Sequence, residues 1–151
     1  MHIGALRNAV AFARDTRWEP PAGHHSEDAR GLAAYALWHE AIVSGDAAPE
    51  YSQYHAFDLQ RFRAHAAGYL RELVEVFPAA ASALQGAAGH YDLLVQMSAT
   101  LHDLCAAAKD ARGFSEDART EAADLVTAAL EADRDAIASI EAAVAVLETS
   151  R

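Results

Sequence analysis

The sequence predicts an all-α protein, an up-down antiparallel four-helix bundle with a short additional N-terminal helix. Three observations carry this expectation. Alanine fills 38 of the 151 positions, against 8 glycines and 4 prolines, and such a composition favours helix on intrinsic propensity. Apolar residues recur at helical spacing through every long stretch, while period-two alternation is missing, so no sheet is expected. The breaks between the long stretches are short, as they are between antiparallel neighbours in a bundle. The length is that of one domain covering the whole chain.

The first helix is expected over about residues 3–15, with Ile3, Leu6, Val10 and Ala13 on one stripe. Trp18-Glu19-Pro20-Pro21 and then Gly23 end it, because proline removes a backbone donor and disfavours helix before it. The second, about 26–44, opens at Ser26, an N-cap residue followed by Glu27 and Asp28 in the first turn. It carries Leu32, Tyr35, Ala36, His39 and Val43 inward and stops at Ser44-Gly45-Asp46. The third, about 50–77, follows Pro49 and is broken by Pro78; its stripe is His55, Leu59, Phe62, Ala66, Tyr69, Leu73 and Phe77. The fourth, about 79–110, presents Leu84, Ala88, Tyr91, Val95, Ser98, His102 and Cys105 and ends at Gly113. The fifth, about 115–149, starts at the Ser115 cap and aligns Ala118, Glu121, Leu125, Ala129, Ala132, Ala136, Ala143 and Leu147. Stripes so rich in alanine bring helices close together and leave little room for a large apolar pocket.

Charge narrows the function. With 22 acids against 12 bases the net charge is −10, which argues against a nucleic-acid binder, since phosphate contacts need a surplus of lysine and arginine. A single cysteine excludes a disulfide framework and a thiolate zinc cluster. No window has the apolar length of a membrane span, and the opening residues lack a signal-peptide pattern, so a cytoplasmic protein is expected. The acidic excess gathers in the last third of the chain, where it reads first as a solubilising helix face. A homodimer or a protein partner stays open.

Of the 8 histidines, three fall on the inward stripes: His39, His55 and His102. In an up-down bundle the helix ends that carry them lie at one pole, together with Glu121 near the start of the last helix. Asp58, three residues after His55, occupies nearly the same face. Three inward imidazoles with one or two carboxylates suit a divalent metal ion such as zinc, iron, nickel or copper. The chain contains no Glu-x-x-His and no His-x-x-x-His, so each ligand must come from a separate helix. The plainer reading is of partly buried histidines, each hydrogen-bonded to a neighbour. Cys105 shares a stripe with His102 and reads as core packing rather than an activated thiolate. His24 and His25 fall in a loop at the opposite pole, and His65 and His90 on helix flanks.

The run Gly31-Leu32-Ala33-Ala34-Tyr35-Ala36-Leu37-Trp38, followed by Tyr54-His55-Ala56 and Arg63-Ala64-His65-Ala66-Ala67-Gly68-Tyr69-Leu70, resembles the helical C-terminal domain of bacterial proteins related to the butirosin-biosynthesis acyltransferase. The resemblance covers about residues 5–105 and rests on helix-packing residues. It implies a stand-alone helical module, because that family's cysteine chemistry lies in a preceding domain, and it assigns no catalytic residue here. The expectation is therefore a non-catalytic helical-bundle protein that binds a metal ion or small ligand at one pole, or acts as an accessory module. Two alternatives stand beside it. One is a metal-dependent hydrolase or transferase, similar in architecture to DinB-like bundles. The other is an acidic structural or inhibitory interaction protein.

Overall fold

The computed structural model describes residues 2–15 and 31–150, which form five α-helices and no strand. They are α1 (His2–Arg14), α2 (Ala33–Ser44), α3 (Pro49–Val76), α4 (Ala81–Asp110) and α5 (Glu116–Thr149). The all-α expectation holds. The expected start of the second helix at Ser26, and His24 and His25, lie outside the described residues; the visible helix begins only after a turn at 31–32. Pro78 acts as anticipated: α3 closes at Val76, and one 3₁₀ turn, Pro78–Ala80, leads into α4. Ser115 caps α5 by accepting a hydrogen bond from the Ala118 amide at 3.2 Å, with Glu116 and Asp117 in the first turn. No described helix is long and apolar enough to cross a membrane.

The long helices α3, α4 and α5 pack consecutively, and side-chain pairs fix the first crossing as antiparallel: Arg71 meets Asp92, while Gln53 meets His102. α1 and α2 both lie along α5. Arg7 pairs with Glu148 and Arg14 with Glu141, then Tyr35 with Asp133, and Gly45 sits against the Arg119 guanidinium. Partner numbers fall along α5 as they rise through α1 and α2, so the two short helices occupy successive lengths of one neighbour. Their ends meet: the Leu32 amide donates to the Ala13 carbonyl at 2.9 Å, continuing backbone pairing from the C-terminus of α1 into the N-terminus of α2. Gly31 makes the junction possible. Its φ is +60°, and a Cβ there would lie 2.4 Å from the Ala13 carbonyl oxygen.

Two apolar clusters share the interior. One joins Leu6 of α1 to Leu70, Leu73, Leu84, Ile137, Ile140 and Leu147. The other joins Tyr35 and Ile42 of α2 to Leu94, Leu101, Cys105 and Val126. Alanines fill the helix contact lines within them, Ala87, Ala122, Ala136 and Ala143 being essentially inaccessible, which is how small side chains let helices approach closely.

Three of the expected stripes depart from the burial, in whole or in part. In α2 Tyr35 is buried as expected, but Ile42 is buried in place of Ala36 and Val43, which are exposed. In α5 Ala129, Ala132, Ala136, Ala143 and Leu147 are buried as expected. Over the first turns, however, the buried face runs through Ala122 and Val126, so Glu121 is exposed and Leu125 only half-buried, while Asp133 joins the buried side chains. In α3 the core takes Ser52, Ala56, Ala67, Leu70 and Leu73, leaving His55 and Phe62 exposed. The stripe His55–Leu59–Phe62–Ala66–Tyr69–Phe77 serves a different purpose. Its second half packs toward α1, where His2 bonds the Tyr69 hydroxyl at 2.9 Å and meets the Phe77 ring edge-on. Its first half faces α2.

Candidate functional site

At that first half the helices leave a cavity of about 650 Å³, which corrects the expectation of little room for a pocket. One face of α2 supplies Ala34, Trp38 and Ala41, spaced i, i+4, i+7. One face of α3 supplies Ser52, His55, Leu59, Phe62 and Arg63. The α2–α3 connector contributes Asp46, Ala47 and Ala48, with Tyr51 beside them. The short side chains of α2 create the space, and Trp38 forms part of its wall. Its indole N–H donates to the buried Ser52 hydroxyl at 3.1 Å, and its ring meets His55 edge-on at 6.0 Å between centroids. A cavity of this size, mostly apolar with a few placed polar groups, has the character of a small-molecule site.

Tyr35 and Arg63 also line the cavity and connect it to the interior. Arg63 reaches Asp133 Oδ2 with Nη2 at 2.6 Å, and the Tyr35 hydroxyl donates to the same oxygen at 2.9 Å. Behind them the guanidinium lies over the Tyr91 ring, 5.2 Å from its centroid. Asp133 is only 1% exposed, so its charge depends on these two donors. Arg63 Nε and Asp133 Oδ1 are buried without a protein hydrogen-bond partner among the described residues. Burial raises the Tyr35 hydroxyl pKa strongly, the Asp133 carboxylate adding to it, and raises Tyr91 to about 12. Burial works against the Arg63 charge, but the Asp133 carboxylate more than offsets it and the guanidinium is held above its ordinary value. The cluster is an arginine–aspartate pair flanked by phenols that burial keeps neutral, set between the two apolar clusters.

The residues expected at a metal centre are placed less compactly. His39 is half-buried on α2. His55 is exposed between Trp38 and Tyr54. His102 lies against Gln53, at 3.3 Å, and the Phe57 ring. Asp58 pairs with Arg61 at 3.6 Å, and Glu121 is exposed beside Asp117 and Asp124. His55 and His102 do share a pole, but positions 53 and 57 are each two residues from 55. At about 100° per residue they point roughly 200° away from it, so α3 stands between the two imidazoles. Among the described residues, no group of three or more histidine, cysteine or carboxylate side chains is arranged to hold a metal ion.

No family model, curated protein or solved structure matches this chain. The site must therefore be read from its own chemistry. Cys105, the chain's one cysteine, belongs to the same apolar cluster as Tyr35, and its thiol is inaccessible. Arg63, Asp133 and the cavity itself were not visible as a site in the sequence, although an acid on the alanine stripe of α5 was a signal available to be read.

Cys105 gives a direct check on the interior. Burial pushes its thiol from 9.0 up to about 11. A folded pKa above the unfolded one contributes stability that is complete below pH 9 and is lost as pH rises toward 11. Relative to Cys105→Ala, the wild-type chain should therefore lose about 2 kcal/mol of unfolding free energy between pH 8.5 and pH 11. Urea titrations of both chains at the two pH values measure it. Parallel pH curves would mean that the thiol is solvated.

Proposed function

We propose that this protein is a non-catalytic helical binder that takes a small, largely apolar ligand in the cavity between α2 and α3. In this reading α1 and α2 together act as the fourth member of an up-down bundle, and the interruption between them provides room for the ligand. The observation that carries the reading is the cavity of about 650 Å³, walled by Trp38, Tyr51, Leu59 and Phe62 with Arg63 and Tyr35 at its inner side. A ligand there would remove exposed aromatic surface from water, at about 25 cal/mol per Å² of apolar area. The polar residues at the inner side would orient one end of it.

Tryptophan fluorescence tests this. In a Trp18→Phe background Trp38 is the sole indole of a chain that has two. Titration with 1-octanol should give a saturable change in its emission. Ala34→Phe, which fills the cavity from α2, should abolish that change while leaving the melting temperature within about 3 °C of the parent. Unchanged emission in the parent, or equal binding by the filled variant, would overturn the reading.

A further inference from the structure

We infer that the cavity selects ligands that carry a positive charge on an apolar body, an alkyl- or arylammonium, over anions of the same shape. The inference rests on the cavity-binding reading above and deepens it. Two described lining residues are an acid and a base, Asp46 and Arg63, and they are not equivalent. The Arg63 charge is matched at 2.6 Å by the Asp133 carboxylate, which solvent does not reach. Taken as a pair, these two groups present no net charge to the cavity. Among the described lining residues the charge without an ion-pair partner is then Asp46, beside Gly45 and the Arg119 guanidinium, in a chain whose net charge is −10.

The remaining wall favours the same sign. Trp38, Tyr51 and Phe62 line the space, and aromatic faces carry the negative lobe of the ring quadrupole, which attracts a cationic head within about 6 Å of the centroid. The bond from Trp38 to Ser52 holds the indole in place, so little side-chain freedom is lost when a ligand arrives. The C-terminus of α2 and the N-terminus of α3 meet at the Asp46–Ala48 rim, and their opposed dipoles offset one another. An entering anion would give up its hydration while the charge of Arg63, its strongest donor, is already matched by Asp133.

Three probes with one hydrocarbon chain separate the alternatives at pH 8, above the ordinary range of histidine: octyltrimethylammonium, 1-octanol and octyl sulfate. With Trp38 as reporter, the ammonium should bind about tenfold more tightly than the sulfate, with octanol between them. Asp46 is exposed and accepts a hydrogen bond from the Ser44 hydroxyl at 2.7 Å, so Asp46→Asn keeps an acceptor and the turn. That variant should reduce the ammonium-over-sulfate ratio by about threefold or more, with the octanol affinity of each chain as its reference. Sulfate binding as tightly as ammonium, or a ratio unmoved in Asp46→Asn, would overturn the charge preference while octanol binding still stood. Failure of all three probes would remove the cavity reading and this inference with it.

Discussion

Arg63→Ala should cost the fold more than Asp133→Ala, about 4 against about 2–3 kcal/mol, although both break the same pair. The reason is where each surviving charge is left. Asp133 is 1% exposed and sits mid-helix on α5, so without Arg63 its carboxylate keeps only the Tyr35 hydroxyl and cannot move to water. The Arg63 side chain is 30% exposed at the cavity wall. Without Asp133 it can swing its head into that space, and most of its desolvation cost is relieved. Arg63→Ala also removes the cation from the face of Tyr91. The double variant Arg63→Met/Asp133→Leu removes both charges and fills their volume, and it should be more stable than either single variant. Chemical denaturation of the four chains measures the cycle. Equal single losses, or a double variant no better than the worse single, would show that the pair is not a closed buried unit.

This pair also marks the boundary of what the sequence made legible. Helix number, the Pro78 break and the Ser115 cap depend on local chemistry and were readable directly. The rotation of each helix about its axis was not. When alanine occupies a quarter of the positions, several stripes around a helix are equally apolar, and the contrast that fixes phase is lost. In α5 the stripe through Glu121 and Leu125 and the one through Val126 and Asp133 differ by about one residue's rotation, yet they exchange an exposed acid for a buried one. In α3 a correctly read apolar stripe, His55–Leu59–Phe62, faces a cavity instead of the core. Heights along α3 and α4 were sound enough to put His55 and His102 at one end of that helix pair, and a rotation of about 200° kept them apart. The cavity could not be anticipated at all, because it depends on the distant residues Ala13 and Leu32 meeting end to end.

That meeting point should be the most sensitive backbone position in the protein. Gly31→Ala should lower stability by about 3 kcal/mol or more, far beyond the effect of an ordinary surface glycine substitution. Two penalties combine. The backbone at Gly31 has φ +60°, which an alanine adopts only at a cost. The new methyl would also lie within 3 Å of the carbonyl oxygens of Phe12 and Ala13, and backbone has no flexible end to move aside. Relief requires breaking the Leu32–Ala13 hydrogen bond, which separates α1 from α2 and loosens the seat of Arg7 and Arg14 on α5. Gly68→Ala provides the control, because that glycine lies mid-helix with nothing within 4 Å of its Cβ position. There alanine should stabilise by about 0.5–1 kcal/mol through helix propensity alone. Hydrogen exchange locates the damage. In Gly31→Ala, protection should fall first at the α1 amides and at Leu32, while α4 amides keep theirs relative to the new global stability. If Gly31→Ala is as benign as Gly68→Ala, α1 and α2 are not joined through Gly31, and the cavity that Gly31 lines has lost its upper support.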